Sequence, residues 1–85
     1  MDTTRKYELI RNEAKTLRLS LGAVTVKVAV QDGRLCMWMR EPPDELAPKP
    51  RIFVALPSWE SFSRGYAHVG TCKDAGHFWH VLEVL

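Results

Sequence analysis

From Val24 to Glu41 apolar and polar residues alternate on both sides of an Asp32-Gly33 dipeptide. Alternation with period two predicts strands, and Asp-Gly suits the positive φ angles of a type I′ turn, so the segment predicts a β-hairpin. Closing it there pairs Val30 with Leu35, Val28 with Met37 and Val26 with Met39. Facing residues of an antiparallel ladder point the same way, so these six side chains form one apolar face. The opposite face pairs Ala29 with Cys36, Lys27 with Trp38 and Thr25 with Arg40. A slip of one residue would exchange the two faces, so the pattern also fixes the register.

The N-terminal stretch carries two patterns at once. Tyr7, Ile10, Ala14, Leu17 and Leu21 recur at helical spacing behind a capping Thr3 or Thr4, whereas Leu17, Leu19 and Leu21 alternate with Arg18 and Ser20 as in a strand. Arg11-Asn12-Glu13 reads as a turn between two short strands under the second reading. The central hairpin ends at Glu41-Pro42-Pro43, because proline cannot donate to a ladder. Residues 42–50 hold four of the five prolines and read as a stiff exposed loop.

Arg51–Leu56, rich in β-branched and aromatic residues, predicts a buried strand. Ser58 then caps a helical turn that Gly65 ends. Tyr66–Cys72 and His77–Leu85 predict a second hairpin around Lys73–Gly76, pairing Cys72 with His77, Val69 with His80 and Gly70 with Trp79. Trp79 over Gly70 suits an aromatic ring covering a cross-strand glycine.

Length then sets the scale. At 85 residues the chain reads as a single domain, 1–85, with a small core that self-association would supplement. Net charge is only +2, but residues 1–40 hold eight Lys and Arg against four Asp and Glu, while residues 41–85 hold four against six. The excess makes a basic face only if the fold collects Arg5, Lys6, Arg11, Lys15 and Arg18 on one side; otherwise these are solvated surface charges. Cys36 and Cys72 form no CxxC pair, and no stretch approaches the ~20 apolar residues of a membrane span. The expectation is a cytoplasmic protein, with reduced thiols and no membrane association.

With the strands in order, the motifs resemble a family of small phage and bacterial proteins classed as a domain of unknown function. The likeness runs through Lys6-Tyr7-Glu8-Leu9, Gly22-Ala23-Val24, Gln31-Asp32-Gly33, Cys36-Met37-Trp38, Arg51-Ile52-Phe53, Val69-Gly70-Thr71 and Trp79-His80-Val81-Leu82-Glu83. It departs over Ala55–Ser63, where family members carry a Gly-Thr-Gly loop. The resemblance implies strands at the N-terminus and a phage or mobile-element origin. It supplies no catalytic residue.

Reaction chemistry finds little support. His68, Cys72, His77 and His80 are ligand types close in sequence, but the register turns His80 away from Cys72 and His77. His68 lies about 13 Å along the strand from Cys72, at ~3.3 Å per residue, far beyond the span of one zinc shell. His80, among Phe78, Leu82 and Val69, reads as a neutral core histidine. Ser58, Ser61 and Ser63 lack a nucleophile elbow. Met37 and Met39 read as core.

Two places suit binding. Thr25, Lys27, Trp38 and Arg40 share the amphipathic face, where a cation beside an indole can stack a base, grip a phosphate or anchor a protein partner. If a second layer covers Trp38, that face is core instead. Trp59 and Phe62 in the following loop either plug the core or meet a partner.

The sequence thus predicts an all-β antiparallel sandwich or partly open barrel of about six or seven strands. A β-rich α+β fold with an N-terminal helix is the alternative. The expected function is non-enzymatic binding without cofactor or metal, through Lys27, Trp38, Arg40, Thr25, Trp59 and Arg18. The expected partner is a host protein or a small nucleotide, as for an anti-defence inhibitor. Single-stranded nucleic-acid binding and an assembly role as a homo-oligomer are the competing readings.

Overall fold

A computed structural model describes residues 2–43, 48–61 and 65–85. Seven strands form two sheets: β1 (Thr3–Leu9), β2 (Lys15–Leu19), β3 (Val24–Gln31), β4 (Arg34–Glu41), β5 (Lys49–Pro57), β6 (Tyr66–Asp74) and β7 (His77–Val84). The order is β1-β4-β3 in one sheet and β2-β5-β7-β6 in the other, all neighbours antiparallel. The sheets stack face to face without closing into a barrel. The least extent of the molecule, 16 Å, suits two layers spaced about 10 Å apart. The N-terminal segment is two strands, with Asn12 in the left-handed region (φ 65°) at the turn between them.

The core lies between the sheets. Leu9, Leu35, Met37 and Met39 from the three-stranded sheet meet Leu17, Leu19, Phe53, Ala55, Trp79 and Val81 from the other. These residues alternate along their strands with residues facing out, which is the pattern read from the sequence. On the outer face of the four-stranded sheet Val54 and Leu82 are also buried, while Ile52 and Phe78 stand exposed.

The first hairpin turns at Asp32 (φ 53°) and Gly33 (φ 75°), as expected. Val30–Leu35, Ala29–Cys36, Val28–Met37 and Lys27–Trp38 pair as predicted. Beyond Lys27 the register changes. Val26 is an extra residue in a β-bulge, so Thr25 faces Met39 and Val24 faces Arg40. The expected Val26–Met39 and Thr25–Arg40 pairs are thereby corrected: Val26 is 50% exposed, and Thr25 turns inward, its hydroxyl 3.0 Å from Met39 Sδ.

The second hairpin differs more. Its turn is the two residues Ala75 (φ 50°) and Gly76 (φ 81°), so Asp74 pairs with His77 and Cys72 with Trp79. The shift of two residues keeps the inward and outward faces but moves Trp79 off Gly70. Gly70 faces Val81 instead. A bulge at Val69 then puts His68 opposite Leu82. Both bulges lie on edge strands, where they increase twist and interrupt an open row of backbone donors.

No helical turn follows β5 among the described residues. Pro57 C=O instead accepts from Glu60 N–H (3.0 Å), closing a tight turn through Ser58 and Trp59. Strands β5 and β6 run parallel on either side of β7. Ser58 N–H donates to Phe78 C=O at one end (3.0 Å), and Leu85 N–H to Gly65 C=O at the other (2.7 Å).

Candidate functional site

Strand β4 is the middle strand of its sheet, so Trp38 has a neighbour on each side: Lys6 on β1 and Lys27 on β3. All three point to the outer face. Trp38 is half-buried between the lysines, and Lys27 Nζ lies 5.0 Å from the ring centroid, a cation–π distance. One step along, Arg40 is exposed and meets Asp2 at 3.5 Å. Val24, opposite Arg40, and the bulged Val26 add exposed apolar surface at the β3 edge. Toward the hairpin turn Lys6 Nζ donates to Gln31 Oε1 (2.7 Å), and Arg34 pairs with Glu8 at 3.2 Å.

The other sheet packs against the inner side of this one. Gly70 of β6 approaches Val28 of β3, so the C-terminal hairpin lies away from Trp38. A ring with cations on both flanks, on a sheet face that no other described strand covers, can stack on a planar group or anchor a partner.

The remaining predicted site residues are dispersed. Thr25 faces the core and leaves the set, because the bulge reverses its side. Arg18 lies on the other sheet, donating to Pro48 C=O at 3.2 Å. Trp59 is 64% exposed at one end of the sandwich, in edge contact with His77 (5.0 Å between ring centroids) and Trp79 (6.4 Å). Phe62 and Ser63 fall outside the described residues. The N-terminal cations do not share a side. Lys6 is on the Trp38 face, Arg11 pairs with Asp74 and lies over Trp79, and Lys15 donates to Glu8 C=O.

Lys6 was missed as a flanking residue. Its position opposite Trp38 depends on β1 pairing with β4, a contact between distant segments. The histidine network was missed too. The Val69 bulge turns His68 onto the face of His80, where His68 Nε2, His80 Nδ1 and Thr71 Oγ1 lie within 3.2 Å of one another. His80 is therefore a surface residue with polar partners, which corrects its reading as an isolated core histidine. Cys72 faces inward beside Trp79, separated from both histidines by the sheet. Among the described residues no group of three or more His, Cys, Asp or Glu is placed to hold a metal ion. Burial pushes the Cys72 thiol up, Asp74 adds to this and Arg11 opposes it. Cys72 thus stays protonated near neutral pH and is a poor nucleophile.

Tyr7 marks the inner side of β1. Its hydroxyl donates to Glu41 Oε2 at 2.9 Å, and burial first, then Glu41, pushes its pKa above 10.0. The raised value means the folded protein holds this proton more tightly than the unfolded chain. Stability from this group is therefore full below the unfolded pKa and lost as pH rises through the folded one. Denaturation midpoints of the wild-type protein are expected to fall above about pH 10, and Tyr7→Phe should flatten that fall. Parallel alkaline profiles for the two proteins would refute it.

The fold and this face define a small two-sheet β domain with an exposed aromatic–cationic surface. A family model described as a domain of unknown function, DUF7352, matches residues 1–85, and the chain belongs to that family. No curated protein and no solved structure matches the chain. No helix among the described residues is long and apolar enough to cross a membrane.

Proposed function

We propose that this chain is a non-enzymatic binding protein of phage or mobile-element origin that occupies an acidic surface of a host protein, in the manner of an anti-defence inhibitor. The observation that supports it is the outer face of β1-β4-β3, where Trp38 stands between Lys6 and Lys27 with Arg40 and two exposed valines beside it. Tryptophan and arginine are the residues most enriched where truncation weakens protein interfaces. A nucleic-acid strand is the weaker candidate, because strand binders stack successive bases on several rings and this face has one.

Size constrains the contact further. Three strands about 4.8 Å apart and eight residues at about 3.3 Å each project an area of roughly 400 Å². A stable interface takes about 800 Å² from each partner. The partner must therefore reach beyond the face.

The test compares wild-type protein with the double variant Trp38→Ala, Arg40→Ala in affinity capture from host lysate. Unchanged far-ultraviolet circular dichroism of the variant serves as the folding control. Loss of a specific acidic protein from the variant's capture is the expected result. Identical captured proteins would sink the assignment. An oligonucleotide that binds the wild type with a steep salt slope, between about 50 and 200 mM, would move the reading to nucleic acid.

A further inference from the structure

We propose that His68 and His80 chelate a divalent transition-metal ion between their imidazoles, Cu2+ more tightly than Zn2+, and that the ion pins the edge strand β6 to β7. The site lies on the outer face of the four-stranded sheet, separate from Trp38, and the proposal stands whether or not the Trp38 face binds a protein.

A regular strand would keep these side chains apart, because residues 68 and 71 would then point to opposite faces. The bulge at Val69 adds the one residue that brings them to the same face. Thr71 then stands opposite His80, and His68 opposite Leu82. His68 is exposed and His80 half-buried, so an ion from solvent can reach both rings.

Three polar atoms converge there. His68 Nε2 lies 3.2 Å from His80 Nδ1, and Thr71 Oγ1 is 2.9 Å from the first and 3.0 Å from the second. A ring nitrogen has one in-plane position, filled by a proton or by a lone pair, and a hydroxyl has one proton. At most two of the three contacts are therefore hydrogen bonds at any moment, and one edge of the triangle always lacks one.

A metal ion resolves that conflict. With the imidazole protons on His68 Nδ1 and His80 Nε2, two lone pairs face one another across the 3.2 Å gap. An ion about 2.1 Å from each nitrogen subtends roughly 100° between them, midway between the square corner of a tetragonal site and the corner of a tetrahedron. Imidazole selects copper, nickel and zinc, whereas magnesium and calcium prefer oxygen. The Thr71 hydroxyl is then the hydrogen-bond partner of a water on the ion.

The surroundings leave the rings to the ion. Leu56 of β5 stands opposite His80, and Lys73, next along the same face, is drawn over the Phe78 ring, 5.8 Å from its centroid. No third His, Cys, Asp or Glu joins the pair among the described residues, so the site is open and its affinity is that of a two-imidazole chelate. Strand β6 is the outside strand of its sheet, and its ladder is interrupted at Val69. The ion would cross-link the strands where backbone pairing is broken.

Calorimetry with CuCl2, ZnCl2 and MgCl2, and an NMR titration of the wild-type imidazoles with ZnCl2, test this. One ion should bind per chain, Cu2+ more tightly than Zn2+, with no binding of Mg2+. Zn2+ should shift the His68 and His80 resonances and leave those of His77 in place. His68→Gln and His80→Gln should each weaken Zn2+ by at least about tenfold, because a chelate becomes a single ligand. ZnCl2 should raise Tm of the wild-type protein and not of either variant. Both side chains reach solvent, so the variants should keep the wild-type circular dichroism, and the NMR titration needs no variant. Mg2+ bound as tightly as Zn2+, His68 and His80 resonances unmoved by Zn2+, or either variant with wild-type affinity would each overturn the proposal.

Discussion

Replacing Arg51 by alanine is expected to destabilise the fold by about 3 kcal/mol, within the 3–5 kcal/mol typical of breaking a buried ion pair from one side. Arg51 binds Glu83 through two parallel contacts, Nε to Oε2 at 2.7 Å and Nη2 to Oε1 at 2.8 Å. Its third contact, Nη1 to Ala23 C=O at 2.8 Å, crosses from the four-stranded sheet to the residue that precedes β3. The guanidinium also lies 5.6 Å from the Phe53 ring centroid. The pair is little exposed, with 20% of the Arg51 side chain and 18% of Glu83 reaching solvent. Glu83 holds the Arg51 proton more firmly still, outweighing the opposing effect of burial.

Alanine removes the contact between the sheets and leaves Glu83 half-buried with its partner gone. A domain of this length has a total stability of only about 4–13 kcal/mol, so the loss should lower Tm by roughly 12–24 °C. The double variant Arg51→Met, Glu83→Leu separates the charge from the clasp. Replacing both charges by apolar groups removes the stranded carboxylate, so it should cost less than Arg51→Ala alone. Urea midpoints followed by circular dichroism measure all three proteins. An Arg51→Ala midpoint at the wild-type value would show that the clasp carries no stability.

Local patterns made most of the fold legible. Alternation and the Asp32-Gly33 turn placed β3 and β4, and RIFVAL placed the centre of β5. The resemblance resolved the N-terminal ambiguity in favour of strands, as found. What stayed hidden depends on where backbone irregularities fall and on which sheet faces which. A bulge needs one extra residue and leaves no mark in composition, yet the bulge at Val26 moves Thr25 from the outer face to the core. The one at Val69 brings His68 to His80. Lys73–Gly76 held several turn-compatible residues, so the tighter Ala75-Gly76 turn could not be told from a four-residue loop.

The candidate face was half legible for the same reason. Lys27, Trp38 and Arg40 came from one hairpin and stayed together, while Lys6 needed a pairing across the chain. Arg18 and Trp59 lie elsewhere, since nothing in a single sequence states how separate strands are layered.

Gly70 shows the same limit most sharply and carries the last prediction. Read alone, it looked like the glycine beneath a cross-strand tryptophan. In the structure its own sheet does not require it. A Cβ built there would lie 2.7 Å from Val28 Cγ2 and 3.2 Å from Val28 Cβ, on the strand of the opposite sheet. Valine is stiff at χ1, so it cannot swing away without disturbing β3. Gly70→Ala should therefore cost about 1–3 kcal/mol, the usual range for overpacking, even though alanine normally improves on glycine inside a strand by about 0.5–1 kcal/mol. Val28→Ala should relieve the clash. The double variant Val28→Ala, Gly70→Ala should then be more stable than the sum of the single losses predicts, by about 1 kcal/mol or more. Strictly additive losses in urea denaturation would mean that the sheets do not meet at Gly70, and that the glycine serves β6 alone.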